Sequence, residues 1–64
     1  MAISKRFALK ILKEMGAKRV SDDAASEFSD ALNKFAYRIA SKAVKLAAHA
    51  KRKTVEKSDI DLAE

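Results

Sequence analysis

Sixty-four residues allow one domain at most, and a core this small rarely holds itself together without disulfides, a metal or a second chain. There is no Cys, so no disulfide or thiolate site exists, and a single His without metal-ligand spacing gives a structural metal no support. Fourteen Lys and Arg against nine Asp and Glu leave a formal net charge of +5, a balance that favours polyanions: nucleic acid first, anionic lipid second.

No apolar run approaches the ~18 residues of a membrane span. Met1-Ala2-Ile3-Ser4 leads straight into Lys5 and Arg6, so no signal peptide is expected and the setting is read as intracellular. Pro is absent, Gly16 is the only glycine, and Ala, Lys and Leu abound. That composition points to helix throughout and to one domain over residues 1–64.

The first helix is predicted from about Lys5 to Met15, with Ser4 as its N-cap. Ile3, Phe7, Ala8, Ile11, Leu12 and Met15 recur at helical spacing and make one apolar face. Lys5, Arg6, Lys10, Lys13 and Glu14 take the other side, and Gly16 can adopt the left-handed backbone that ends a helix. Ala17-Lys18-Arg19-Val20 is too short for structure of its own. Ser21 then reads as the cap of a second helix, with Asp22 and Asp23 in the first turn, where carboxylates oppose the positive helix end.

The second helix is predicted from Asp22 to about Ala50. Phe28, Leu32, Phe35, Ile39, Ala43, Leu46 and Ala50 hold one face at spacings of three and four, and Ala36, Ala40, Val44 and Ala47 form a second band of small residues beside it. At 1.5 Å rise per residue this helix is roughly 43 Å long. A compact globule of this chain length would be only about 28 Å across. Its short neighbours cannot cover the whole stripe, so a second chain must, and an obligate dimer is expected. Lys51-Arg52-Lys53-Thr54-Val55 is a second basic loop, in which Thr and Val suit a short extended piece. A last short helix is predicted from Lys57 or Ser58 to the end, with Ser58 and Asp61 at capping-box spacing.

The order is short helix, basic loop, long helix, basic loop, short helix. Gly16-Ala17-Lys18-Arg19-Val20-Ser21-Asp22-Asp23-Ala24 resembles the first-loop region of archaeal-type (prokaryotic) histones. Ile39 to Ala50, Arg52-Lys53-Thr54-Val55 and Asp59-Ile60-Asp61-Leu62-Ala63 resemble the later parts of the same family, in order and without a gap. The resemblance implies an all-α histone fold that forms a head-to-tail handshake dimer. Each first loop would lie beside the partner's second loop, making two composite DNA-contact patches, with a third from the paired first helices.

Residue by residue, Arg19 resembles the first-loop arginine that approaches the minor groove, and Lys53 and Thr54 resemble second-loop phosphate contacts. Lys18 and Lys51 are the neighbouring loop cations. Lys10 stands where relatives have a first-helix arginine, with Lys13 beside it. Arg52 and Asp59 resemble an internal ion pair that braces the second loop. Leu46, His49, Asp59 and Leu62 resemble the surface by which two dimers join in a four-helix bundle, and Gly16 the position that allows close stacking of successive dimers. Three departures stand out. The lead-in Ile3-Ser4-Lys5-Arg6-Phe7 has no Pro. The third helix, ending at Glu64, is shorter than is usual, as in a minority of prokaryotic relatives that assemble through other surfaces. The outer face of the long helix carries Lys34, Arg38, Lys42 and Lys45 where relatives often carry acids.

No nucleophile–base–orienter set, glycine-rich phosphate loop or pair of acids in a cleft can be assembled, so an enzyme is not expected and no cofactor or small-molecule substrate is implied. The expected function is an architectural DNA-binding protein of the nucleoid, cytoplasmic, that binds double-stranded DNA without base specificity and bends, wraps or bridges it. The partners are DNA and itself, as a homodimer with tetramers or larger assemblies open to it. The rivals are a histone-fold subunit of a heterodimeric transcription factor, a basic amphipathic membrane-surface protein, and an RNA-binding helical dimer. The plainest reading of Lys34, Arg38, Lys42 and Lys45 is a solvated helix face, to which Asp30 adds an i,i+4 pair with Lys34; the sharper reading is a second DNA surface.

Overall fold

The computed structural model describes residues 3–64. Three helices follow in order: α1 (Lys5–Glu14), α2 (Asp22–His49) and α3 (Lys57–Ala63). Among the described residues there is no strand. The chain resolves into two compact units, Met1–Lys34 and Phe35–Glu64, with α2 running from one into the other.

Local chemistry sets the helix starts. Ser4 has extended backbone, and its Oγ accepts the Phe7 N–H at 3.1 Å. Ser21 repeats the arrangement, accepting from the Ala24 N–H at 3.1 Å, while Asp22 and Asp23 occupy the first turn of α2. The third helix starts at Lys57, within the expected range, but its cap differs from the expectation. The cap of α3 is Glu56, not Ser58, and the reaching carboxylate is that of Asp59, whose Oδ2 accepts the Glu56 N–H at 2.8 Å. Asp61, expected to close a capping box on Ser58, is paired with Lys57 instead, at 2.8 Å. The reason lies in Asp59, which Arg52 holds in place at the start of the helix.

The first two helices end in the same way. In α1 the Gly16 N–H donates to Lys13 O and the Ala17 N–H to Leu12 O. In α2 the Lys51 N–H donates to Ala48 O and the Arg52 N–H to Ala47 O. Both are Schellman closures, with a left-handed residue just past the helix: Gly16 at φ 112° and Lys51 at φ 60°. A lysine in that conformation is unusual, because its Cβ crowds the backbone.

In the unit Met1–Lys34 the buried residues are small or polar: Ala8, Ala25, Ser29 and Asn33. Asn33 is 1% exposed and clamps the lead-in. Its Oδ1 accepts the Ile3 N–H at 3.0 Å, and its Nδ2 donates to Ile3 O and Ser29 O, each at 2.8 Å. The Ser29 hydroxyl adds a 3.0 Å bond to Ile3 O. A lead-in without Pro is thus held by side-chain amide chemistry rather than by a rigid ring. In the unit Phe35–Glu64 the buried residues are Ala43, Ala47, Asp59 and Ala63. The alanines admit close backbone packing but bury little apolar area. Several large side chains stay open within one chain: Phe7 49%, Phe35 52%, Tyr37 53%, Val44 56% and Leu62 74% exposed.

Candidate nucleic-acid interface

The first loop follows Gly16, whose left-handed backbone turns the chain out of α1. Lys18 and Arg19 are exposed, while Val20 is half-buried and anchors the segment between them and Ser21. Neither cation takes part in an ion pair among the described residues. Lys5 differs, since its Nζ lies 2.8 Å from Asp22 Oδ1. On α1, Lys10 and Lys13 are exposed and border a shallow groove with Arg6, Phe7 and Leu9.

The second loop is organised by one ion pair. The Arg52 guanidinium donates to both Asp59 oxygens at 2.8 Å, the forked geometry that suits Arg and a carboxylate. The same guanidinium donates to Thr54 O at 3.1 Å, and Glu56 Oε1 lies 3.7 Å away. Asp59 is 2% exposed, so its charge depends on these partners. Hydrogen bonding from Arg52, and then from the Glu56 N–H, lowers the Asp59 carboxyl from 3.8 to about 2. The Arg52 guanidinium is correspondingly pushed up, chiefly by its hydrogen bonds to Asp59. Arg52 is therefore engaged inside the loop. Lys51, Lys53 and Thr54 are exposed around it, and the two lysines have no ion-pair partner among the described residues.

Lys34, Arg38, Lys42 and Lys45 are all exposed on α2. Asp30 and Lys34 are not among the ion pairs of the described residues. Arg38 instead lies over the Phe35 ring, 5.3 Å from its centroid, a cation–π contact. Leu46, His49 and Leu62 line one shallow groove together with Lys42, Lys45 and Ala63. Asp59, expected to share a surface with them, is not part of that lining, since both its oxygens are turned to Arg52.

Sequence reasoning passed over Asn33, Ser29 and Glu56. The signal for the first two was present: a polar pair at i,i+4 on the small-residue side of α2, where solvated residues would not be expected. For Glu56 the signal was its spacing to Asp59, that of a helix cap and the third residue after it, which carries an acid at both places in place of the usual Ser or Thr cap.

Among the described residues no helix is long and apolar enough to cross a membrane, and no group of His, Cys, Asp and Glu could hold a metal ion. Residues 8–63 match the family described as "Histone-like transcription factor (CBF/NF-Y) and archaeal histone". The chain is 51% identical over 55 residues to "Probable archaeal histone 3" of Methanocaldococcus jannaschii, covering 86% of this chain and 82% of that protein. It is 41% identical over 54 residues to one of the subunits of the archaeal histone HAN1 of Thermococcus zilligii, covering 84% and 81% respectively. With its capped short–long–short helix order and near-complete match, the chain belongs to the histone-fold family that joins archaeal histones to the histone-like transcription factors.

Proposed function

We propose that this protein is an architectural component of the chromosome that binds double-stranded DNA through its sugar-phosphate backbone. Membership of a family of structural DNA-binding proteins makes it a binding protein and not an enzyme. The observation that carries the residue-level reading is the division of labour in the second loop. Arg52 is consumed by Asp59 and stiffens the loop, while Lys51 and Lys53 on either side are left free to meet phosphate. Cations on a pre-formed loop lose little freedom on binding, which favours contact without base readout. Arg19 and Lys18 in the first loop, and Lys10 and Lys13 on α1, supply the other contacts. Thr54 offers its hydroxyl to a phosphate oxygen, and Arg19 enters the minor groove where that groove faces the protein.

The working unit is a homodimer in the handshake arrangement typical of the fold, one histone-fold domain per chain. Support comes from side chains that one chain leaves uncovered: Phe7, Phe35, Tyr37, Val44 and Ile60. Such a protein works on the nucleoid, in the cytoplasm. A second reading, as half of a heterodimer, draws on the description of the family, which includes transcription factors. Expression alone followed by mass measurement separates the two, since a chain that needs a different partner would aggregate or stay unfolded.

DNA binding is tested by titrating duplexes of unrelated sequence at several salt concentrations. Affinity should fall with a log–log slope of about −0.9 per phosphate neutralised. Arg19→Ala and Lys53→Ala should weaken all sequences alike. Salt-insensitive binding, or losses confined to one sequence, would overturn the proposal.

A further inference from the structure

We infer that the outer face of α2, formed by Arg38, Lys42 and Lys45, binds a second DNA duplex, so that one protein holds two duplexes together. The inference rests on the DNA-binding function proposed above and adds a surface to it.

The acids of α2 are Asp22, Asp23, Glu27 and Asp30, all near its start, and the next carboxylate along the chain is that of Glu56. Arg38, Lys42 and Lys45 therefore stand on a stretch of helix with no acid of its own. Their spacings of four and three make them neighbours on the helix surface, where like charges weaken a helix and opposite charges would support it. All three are exposed, and none has an ion-pair partner among the described residues. Arg38 rests on the Phe35 ring, 5.3 Å from its centroid, and not on a carboxylate among the described residues. An uncompensated, single-sign row on a rigid helix is complementary to a row of phosphates.

The other candidate occupant is a second copy of this chain, seated in the adjoining groove of Leu46, His49 and Leu62. A two-fold join presents the same surface from both sides. Such a join would bring Lys42 and Lys45 of both copies into one interface, with no acid in the groove lining to pair with them. The charge of these lysines favours a polyanion over a like-charged copy.

The test uses the full chain and two triple variants, Arg38→Gln/Lys42→Gln/Lys45→Gln and the corresponding change to Glu. Circular dichroism and solution mass first establish that each variant folds and assembles as the parent does. Affinity for one short duplex is then measured by fluorescence anisotropy, and bridging by capture of a labelled duplex on an immobilised one. The expected result is single-duplex affinity within roughly threefold of the parent while capture falls roughly tenfold or more, as removal of three phosphate-neutralising charges requires. The Gln variant guards against failure of the Glu variant through misfolding or through pairing with the basic loops. Unchanged capture, or equal loss of single-duplex affinity and capture, overturns the inference. So does loss of capture in Leu62→Ser with a fall in solution mass, since copies joined through the groove would then be doing the bridging. Parent protein that binds one duplex but captures no second also overturns it while leaving the proposed function intact; parent protein that binds no duplex defeats the function itself.

Discussion

Lys51 sets conformation against charge, and replacing it by Gly separates the two. Its φ of 60° closes α2 in the Schellman manner, with the Lys51 and Arg52 N–H groups each 2.9 Å from their carbonyl acceptors. A left-handed L-residue with a Cβ costs about 1–2 kcal/mol. Glycine avoids that cost but gains freedom in the unfolded chain, an opposing effect of about 0.4–1 kcal/mol. Lys51→Gly should therefore stabilise each chain by roughly 0.5–1 kcal/mol, a rise of about 4–8 °C in Tm at the upper end for a domain of this size. It should also weaken DNA binding, flattening the salt slope by about 0.9 for each phosphate that is no longer neutralised. Thermal melts at matched protein concentration and anisotropy titrations over a salt series read both effects. Lys51→Ala is the control: it keeps the strain and loses the charge, so it should weaken DNA binding without raising Tm. A Gly variant no more stable than the parent would refute the strain argument. A stabilised Gly variant with unaltered salt slope would refute a DNA-binding role for Lys51.

Three further outcomes are expected. Asn33→Asp replaces two amide donors by a carboxylate facing Ile3 O and Ser29 O, each 2.8 Å from Nδ2, and should destabilise the fold by about 2 kcal/mol or more in chemical denaturation. Asp59 is lowered from 3.8 to about 2, so the unfolded chain takes up its proton first; the stability it supplies is full above about pH 4 and lost as pH falls towards 2, and Asp59→Asn should remove that part of the acid sensitivity while weakening the fold at neutral pH. Ile39→Asp places an unpaired charge on the apolar face of α2 and should abolish folding and dimerisation together; a stable helical monomer, seen by circular dichroism with sedimentation, would refute the dimer.

Much of this protein is legible along the chain, because its determinants are local. Absence of Pro, one Gly and a steady three–four spacing specify three helices with no reference to anything distant. Ser4, Ser21 and Gly16 mark their ends through hydrogen bonds that reach only a few residues. The loop cations are equally visible, since exposure is the default state of a charged loop residue and needs no partner to explain it.

What the tertiary structure decided are the features that depend on residues far apart or on one conformation among several. Asn33 bonds the backbone of Ile3, thirty positions away, and no local pattern announces that pairing. α3 starts at Lys57 as expected, but its cap is Glu56 and not Ser58, with the Asp59 carboxylate that Arg52 holds accepting the Glu56 N–H. Lys51 carries a backbone conformation that residue type argues against, imposed by closure of α2. The apolar stripe was legible, but its coverage was not. Within one chain the alanines Ala8, Ala43 and Ala47 are buried while Phe35 stays 52% exposed. The reason is size: the small residues of α2 admit close packing, while large side chains such as Phe35 and Val44 stay open within one chain.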